Sequence, residues 1–210
     1  MKVLMENIST VDEQSLETKP DYITDERWEK IMRIRPLEDK KRSLLAGKLL
    51  HQMCRECGVK EPVYGNVKSG KPVLVNYPDI AFSISHSGEY VVLVYKKNIT
   101  AAGIDIQQIK SMSDGLKKRF LHEKERLWLE NQMSVWENEN NVEKQMLCLN
   151  RVWAVKEAFV KMTGEGLAHD FRNLYVDMKT QIVTDENGYQ ASFMELEAPE
   201  GYVLAVVIEE

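Results

Sequence analysis

The segment from Trp153 to Gly164, WAVKEAFVKMTG, constrains the fold more than any other stretch of this 210-residue chain. Its apolar residues recur at helical spacing around most of the circumference, which predicts a buried or half-buried helix. Trp153, Glu157 and Lys161 follow one another at intervals of one turn. Gly164 supplies the ending expected of a helix that closes on a left-handed residue. Any fold built around this helix must therefore place charged groups beside apolar surface.

The charges on this helix have two interpretations. In the first, Glu157 and Lys161 form an exposed i,i+4 ion pair contributing about 0.2–0.5 kcal/mol. The second comes from GIDIQ at 103–107, a predicted strand in which Asp105 lies on the face opposite two isoleucines. A carboxylate in such a run costs free energy unless it is paired or holds a cation. Asp105 and Glu157 would together offer the hard oxygen ligands that Mg²⁺ prefers. Lys156 and Lys161 would then suit phosphate oxygens around the metal.

A predicted hairpin supplies a third group of polar residues. The stretch from Phe82 to Tyr95 reads as two strands joined by a turn at Ser85–Gly88. Ser85 and His86 would offer short donors at the end of a strand, a suitable place to bind phosphate. The alternative is an ordinary hairpin turn with a surface histidine, which the turn chemistry of serine and glycine favours.

Taken together, these segments resemble the Sfp-type 4′-phosphopantetheinyl transferases. The resemblance extends from about Arg27 to the C-terminus and keeps the family's order and spacing of motifs. It implies an α+β fold of two similar halves related by a pseudo-twofold axis, with the active site between them. The matching motifs are GKP at 70–72, SISHS at 83–87, GIDIQ at 103–107 and WAVKEAFVKMTGEGL at 153–167.

The resemblance also implies a division of labour between the halves. Residues 1–103 would contact the nucleotide of coenzyme A, and residues 104–210 would carry the Mg²⁺-binding acids, the catalytic helix and the carrier contact. The polar stretch at 138–143 is predicted to be a loop. Periodicity predicts helices near 25–33, with Asp25 as its cap, and near 37–57, 113–120, 123–132 and 144–163. It predicts strands near 3–5, 63–64, 72–74, 80–85, 90–95, 102–106, 174–178, 189–195 and 202–208.

The implied reaction is Mg²⁺-dependent transfer of the 4′-phosphopantetheine arm of coenzyme A to a serine hydroxyl of an acyl or peptidyl carrier protein. It releases 3′,5′-ADP, and the enzyme would be of the holo-[acyl-carrier-protein] synthase type. Whether the carrier serves fatty-acid, polyketide or nonribosomal peptide synthesis is left open. The alternative is a non-catalytic module of the same fold that binds coenzyme A or a carrier protein.

The resemblance assigns catalytic and metal-binding roles to residues at matching positions. Asp105, Gln107 and Glu157 would hold Mg²⁺, with Gln107 standing where many relatives have another carboxylate. Glu125 would be the general base that accepts the serine proton, and Lys161 would neutralise charge on the leaving group. The alternative for Glu125 is a solvated acid in the first turn of a helix.

Contacts with coenzyme A are implied in the same way. Ser85 and His86 would bind a phosphate, while Arg42 and Lys71 would contact the nucleotide end, including its 3′-phosphate. The full set expected to contact coenzyme A is Arg42, Lys71, Ser85, His86, Lys156 and Lys161.

The charge of the chain limits which other classes of partner, such as nucleic acid, can be expected. The net charge of −5 gives no argument for nucleic acid binding, although the stretch 27–60 is basic. Arg27 and Lys30 fall in this stretch where the family places further phosphate contacts, and a solvated basic helix face is the alternative. No targeting signal or bilayer-length apolar run is visible. A cytoplasmic protein without membrane or nucleic-acid partners is expected, and it would be a monomer because one chain supplies both halves of the site.

The three cysteines indicate a reduced compartment rather than a disulfide framework. His51, Cys54 and Cys57 form an HxxCxxC pattern that could bind zinc. No second pair follows at zinc-finger spacing, so the favoured interpretation is a helix end whose cysteines share one face.

Overall fold

The computed structural model describes residues 1–67, 70–135, 141–166 and 169–209, with the side chains of all of these except 133–135 and 141. No helix among these residues combines the length and apolarity needed to cross a bilayer. Helices α1 to α5 span Asp25–Arg33, Leu37–Cys57, Asp114–Phe120, Glu123–Val135 and Asn141–Thr163. Strands β1 to β10 span Lys2–Asn7, Tyr64–Asn66, Pro72–Leu74, Ile80–Ser87, Tyr90–Lys97, Ala101–Gln108, Tyr175–Asp177, Ile182–Thr184, Gln190–Leu196 and Tyr202–Glu209. Short 3-10 turns occupy Ile8–Thr10, Gln14–Leu16 and Phe171–Asn173.

The connectivity of the chain repeats in its two halves. The first sheet has the order β1-β5-β4, and the second has the order β6-β10-β9-β8-β7. Each half forms a strand, then a long helix, then an antiparallel hairpin whose last strand pairs with the first strand. The long helices are α2 and α5. The predicted α+β fold of two similar halves is therefore confirmed, while the division between residues 103 and 104 stays a prediction.

Strand β5 joins the two halves because both of its faces are buried. Leu93 faces the core beneath α2, where Leu49 and Met53 also pack. Val92 faces the other way and packs in one cluster with Ile104 of β6. Burying an aliphatic side chain of this size contributes about 1.5–3 kcal/mol. This apolar contact places the end of β4, the partner of β5, next to β6.

Gly103 allows the closest approach of strand β6 to helix α5. A Cβ atom at this position would collide with the backbone carbonyl of Ala158 and the backbone amide of Met162. Glycine therefore lets the strand that carries Asp105 lie directly against the helix that carries Glu157.

The hairpin between β4 and β5 differs from the prediction. Strand β4 continues to Ser87, which pairs with Tyr90, so Ser85 and His86 lie in a strand and not in a turn. The turn itself contains two residues, and Gly88 adopts a φ of 52°. A positive φ suits the tight turns whose twist matches that of the flanking strands.

Two helix starts also differ from the prediction. Thr24, rather than Asp25, caps α1, because its side-chain oxygen accepts the backbone N–H of Arg27. Helix α5 begins at Asn141, inside the predicted loop at 138–143, and the first part of that loop lies outside the described residues.

Candidate active site

A cavity of about 650 Å³ lies where the two halves meet. Strand β4 of the first half lines it together with strand β6 and helix α5 of the second half. Seven of the ten predicted site residues line this cavity: Lys71, Ser85, His86, Asp105, Gln107, Glu157 and Lys161.

Helix α5 presents one face to this cavity. Trp153, Glu157 and Lys161, each one turn from the next, all line it, so the predicted common face is confirmed. The indole of Trp153 packs edge-on against the ring of Phe120, with centroids 5.2 Å apart. It also packs at a tilt against the ring of Phe171, with centroids 5.4 Å apart. Side chains from α3 and from the 3-10 turn at Phe171–Asn173 therefore fix the position of Trp153 on this face.

Asp105 is the centre of a hydrogen-bond network that joins the two halves. Its Oδ1 accepts hydrogen bonds from Ser85 Oγ and from Lys161 Nζ, each at 2.6 Å. Lys161 Nζ also donates to Ser85 Oγ at 2.8 Å. Within the described part of the chain, the buried Asp105 Oδ2 has no hydrogen-bond partner. A carboxylate oxygen left in this state costs free energy until a donor or a cation reaches it.

Glu157 adds a second buried carboxylate to the same cavity. Desolvation and, after it, the negative charge of Asp105 raise the pKa of Glu157 to about 7, while Lys161 opposes the shift. Lys161 forms its ion pair with Asp105, across two elements, instead of the simple i,i+4 pair along the helix. Two acids therefore share one ammonium group, an arrangement that a divalent cation would relieve.

The donor set fits a hard divalent cation such as Mg²⁺. Asp105 and Glu157 supply carboxylate oxygens, and Gln107 supplies an amide oxygen to the same cavity from strand β6. No group of three His, Cys, Asp or Glu side chains suited to a metal is found among the residues that the structure describes.

Lys71 and His86 reach the cavity from the first half. Lys71 Nζ donates to the carbonyls of Ala102 at 2.9 Å and of Met162 at 3.4 Å. Burial lowers the pKa of Lys71 to about 8. Desolvation lowers the pKa of His86, and the nearby charge of Arg42 lowers it further. Burial thus disfavours the charged forms of Lys71 and His86 until an anion enters the cavity.

Arg42 is engaged in a different contact from the predicted one. Its Nε donates to the carbonyl of Gly88 at 2.7 Å, and its guanidinium forms ion pairs with Glu38 and Asp39 of its own helix. These contacts hold the side chain against the β4–β5 turn. In this structure the side chain supports the hairpin, and the predicted contact with the nucleotide of coenzyme A stays a prediction.

Lys156 is buried in the second half and does not line the cavity. Its side chain is 0 % exposed, and Nζ donates to the carbonyls of Phe120 at 2.8 Å and Phe171 at 3.0 Å. A third hydrogen bond, of 2.7 Å, goes to Glu125 Oε2. Because an ammonium group has three protons, all of its donors are occupied. The predicted phosphate contact of Lys156 is therefore corrected.

Glu125 is buried with Lys156 and has no free oxygen. Its Oε2 accepts from the backbone N–H of His122 at 2.9 Å as well as from Lys156, and its Oε1 accepts from the backbone N–H of Val176 at 2.8 Å. Desolvation raises the pKa of Glu125 and lowers that of Lys156. Neither the predicted general base nor the alternative of a solvated helix acid agrees with this position.

A second cavity, of about 850 Å³, adjoins the first and shares Pro72, Ile84 and His86 with it. Arg27 and Lys30 both line this second cavity. Arg27 is half-buried there, whereas the side chain of Lys30 is 69 % exposed and pairs with Glu26, so the solvated helix face describes Lys30 but not Arg27. Within the described residues, the buried Arg27 Nε lacks a hydrogen-bond partner. Desolvation lowers the pKa of this guanidinium. The second cavity is therefore suited to a bound anion.

Two further basic residues of the second cavity were missed from the sequence. His51 and Arg55 line it together with Gly47, and these three positions follow one another at intervals of four residues along α2. This i, i+4, i+8 spacing was the available signal. The buried leucines of α2 form the more prominent pattern in this helix.

The HxxCxxC pattern does not form a zinc site in the described structure. His51 and Cys54 both line the second cavity, Cys54 Sγ lies 3.4 Å from the hydroxyl of Tyr64, and helix α2 ends at Cys57 before the left-handed Gly58. The three cysteines are free thiols. The pattern reflects the end of a helix, as the favoured interpretation held.

Comparison with known proteins assigns the chain to a family. A family model described as the 4′-phosphopantetheinyl transferase superfamily matches residues 101–207. A second model, described as 4′-phosphopantetheinyl transferase, N-terminal, matches residues 11–98. The chain belongs to the 4′-phosphopantetheinyl transferase superfamily.

Individual relatives agree with this assignment. The 4′-phosphopantetheinyl transferase psf-1 of Bacillus pumilus is 27 % identical over 176 residues, which cover 80 % of this chain and 71 % of that protein. The 4′-phosphopantetheinyl transferase Sfp of Bacillus subtilis strain 168 is 27 % identical over 192 residues, which cover 88 % of this chain and 81 % of that protein. The crystal structure of Thermotoga maritima holo-[acyl-carrier-protein] synthase matches 53 % of this chain and 64 % of that chain, at 21 % identity and a TM-score of 0.36. The family assignment rests on the family model and the sequence relatives alone.

Proposed function

We propose that this chain transfers the 4′-phosphopantetheine arm of coenzyme A to a serine hydroxyl of an acyl or peptidyl carrier protein, in a Mg²⁺-dependent reaction. One observation carries the proposal. In a member of this superfamily, Asp105, Glu157, Ser85 and Lys161 converge on one cavity at the junction of the halves. One oxygen of Asp105 is left there without a partner among the described residues.

Mg²⁺ would be held by Asp105 and Glu157, with Gln107 as a neutral third donor or as the neighbour of a bound water. When bound, the ion would neutralise pyrophosphate oxygens of coenzyme A and stabilise the charge that develops on the leaving 3′,5′-ADP. Because Gln107 brings no charge, the affinity for Mg²⁺ should be lower than at a site with three carboxylates.

The two adjoining cavities supply the binding surface for coenzyme A. Lys161 and Ser85 lie where the pyrophosphate would meet the metal-binding acids, and Lys71 and His86 line the same cavity. The nucleotide end would extend into the second cavity, where basic side chains, Arg27 among them, can bind the 3′-phosphate.

In the transfer step, the carrier serine Oγ forms a bond to the phosphorus next to the pantetheine arm as the bond from that phosphorus to 3′,5′-ADP breaks. Lys161 donates to phosphate oxygens as negative charge shifts to the leaving group. The serine proton needs an acceptor in the cavity, and both oxygens of Glu125 are already bonded elsewhere. We therefore assign this proton to the oxygen of Glu157 that would not contact Mg²⁺, because this carboxylate lines the same cavity.

The proposal extends to the setting of the reaction. The cavities are formed within one chain, so the enzyme would act as a monomer, and it would work in the cytoplasm, where coenzyme A is available. Acyl and peptidyl carriers are both candidates, including those of fatty-acid, polyketide and nonribosomal peptide synthesis. A role as a holo-[acyl-carrier-protein] synthase is one case of this range.

The test is to incubate the protein with coenzyme A, MgCl₂ and apo-carriers of the acyl and peptidyl types, and then to weigh the carriers by mass spectrometry. We expect a gain of one phosphopantetheine group at a serine, which is lost when EDTA replaces MgCl₂. Binding of coenzyme A by calorimetry without any gain in carrier mass would instead establish the non-catalytic binding module.

A further inference from the structure

The buried ion pair of Lys156 and Glu125 connects four segments of the second half. Lys156 belongs to helix α5, and Glu125 lies near the start of α4. The two carbonyls that accept from Lys156 belong to the last residue of α3, Phe120, and to the first residue of a 3-10 turn, Phe171. All three acceptors of the ammonium group therefore come from outside α5.

Phe120 and Phe171 also pack against the residue that forms the aromatic wall of the cavity. The ring of Phe120 and the ring of Phe171 both pack against the indole of Trp153, which lines the cavity. Lys156 thus binds the backbone of the residues whose side chains fix Trp153. A shift of these carbonyls would move the aromatic wall.

The pair also defines the rotation of helix α5 about its axis. Lys156 and Glu157 are consecutive, so they project about 100° apart around the helix. One is anchored in the core, while the other faces the cavity beside Lys161. Because the ammonium group has three fixed acceptors, the helix cannot turn without breaking buried hydrogen bonds. The direction of Glu157 follows from the anchoring of Lys156.

Glu125 anchors the other side of the pair. It accepts from the backbone N–H groups of His122, before α4, and of Val176, in β7. With both oxygens held in this way, the carboxylate is a fixed acceptor rather than a mobile one. It stabilises the ammonium group at a defined point between α4, β7 and α5.

We infer that the Lys156–Glu125 pair is a positioning element that orients the cavity face of α5, namely Trp153, Glu157 and Lys161. The inference rests on the proposed function, because it states how the catalytic face is oriented. Two alternatives are a general-base role for Glu125 and a role in stability alone.

The experiment compares single and paired replacements. E125Q leaves the buried ammonium group of Lys156 without its counter-ion. K156M leaves the buried carboxylate of Glu125 without its counter-ion. The double variant E125Q/K156M removes both charges, and its new carboxamide can donate to the carbonyls that the lysine has left. Replacing both members of a buried ion pair often leaves stability unchanged, whereas removing only one member destabilises the protein. The matched control is R151M/E195Q, which removes the ion pair that joins α5 to β9 through Arg151 and Glu195.

The measurements are kcat, the Mg²⁺ concentration for half-maximal rate, and the melting temperature, with kinetics taken well below melting. We expect each single variant to lose roughly tenfold or more in kcat and to require more Mg²⁺, as for residues that orient metal ligands. We expect the double variant to regain most of the loss and the control pair to match the wild type in kcat. Equal inactivity of E125Q and the double variant, with K156M active, would establish a general base and overturn the inference. Lower melting temperatures with unchanged kcat and Mg²⁺ dependence would also overturn it.

Failure of the proposed function gives a different pattern. If the wild type transfers nothing to any carrier, the inference is decided by calorimetry with coenzyme A and MgCl₂. Weaker Mg²⁺-dependent binding in each single variant, restored in the double variant, supports positioning. Equal binding in all variants rejects it.

Discussion

Lys161 Nζ lies 2.6 Å from Asp105 Oδ1, an ion pair between positions 56 residues apart in the chain. It joins helix α5 to strand β6 at the place where both halves meet. The pair neutralises one oxygen of Asp105, and the other oxygen, with Glu157 nearby, remains as excess negative charge in a buried space.

Replacing Asp105 or Glu157 by the isosteric amide should remove most of the transfer activity. Asp105→Asn and Glu157→Gln keep the side-chain shape but remove the charge that would hold Mg²⁺. We expect a loss on the order of 100-fold in kcat/KM, the scale of a lost electrostatic contact in an active site. The measurement is the initial rate of carrier modification, with the fold checked by circular dichroism.

Glu29→Gln is the control for these two variants, because it neutralises an acid on the exposed surface of α1. It should transfer at the wild-type rate. Near-normal activity in Asp105→Asn would show that the metal assignment is wrong.

Replacing Gln107 by glutamate should strengthen Mg²⁺ binding. The change adds a carboxylate to a cavity that already holds Asp105 and Glu157. We expect the Mg²⁺ concentration for half-maximal rate to fall by an amount on the order of tenfold, since affinity follows the charge of the ligands. Gln108→Glu is the matched control, because consecutive strand residues face opposite sides. An equal effect of both variants, or no effect of either, would exclude position 107 as a ligand.

The affinity for coenzyme A should fall as pH rises through about 8. Burial lowers the pKa of Lys71 to about 8, so the free protein loses this charge above that pH. Only the ammonium form attracts phosphate; binding is therefore at full strength below this pH and weakens by about tenfold per pH unit above it.

Titration calorimetry from pH 6.5 to about 9.5 checks the assignment of this pH dependence to Lys71. Lys71→Arg should remove the fall, because a guanidinium keeps its charge throughout this range. A profile that is the same in the wild type and in Lys71→Arg would assign the titration to another group.

Replacing Gly103 by alanine should destabilise the protein. A Cβ atom there meets the backbone of Ala158 and Met162, which cannot move aside as a flexible side chain would. We expect a loss of about 1–3 kcal/mol or more in the free energy of unfolding, measured by denaturant titration.

Gly115→Ala provides the opposite case in the same half. Its Cβ would have Ser113 Oγ as its nearest neighbour, at 4.0 Å, and the residue lies in helix α3. We expect a gain of about 0.5–1 kcal/mol, because alanine loses less conformational freedom than glycine in a helix. Equal effects of the two substitutions would contradict the close packing of β6 on α5.

Much of the candidate site could be predicted because its residues lie on regular elements. The one-turn spacing of Trp153, Glu157 and Lys161 indicated a common face, and all three line the cavity. The alternation around Asp105 placed it opposite two isoleucines, and those isoleucines are buried between the sheets. The motif order also indicated the family, which the family model confirms.

The residues whose roles were predicted wrongly are those whose environment is formed by other helices and strands. Lys156 and Glu125 carry the same charges as true cavity residues and stand close to them in sequence. Only the packing of α3, α4 and β7 around α5 shows that the two are buried together and fully hydrogen-bonded. Arg42 likewise has a contact that its own helix does not indicate, because its Nε donates to the carbonyl of Gly88 in the β4–β5 turn.

The amino-acid sequence by itself determined the elements, their buried faces, the family and the acids that meet in the cavity. The tertiary structure decided which charged groups face the cavity and which are neutralised in the core. The physical reason is that sequence periodicity shows only which side of its own helix or strand a residue faces. The free energy of a charge depends instead on the partners and the solvent that other elements bring to it or take away from it.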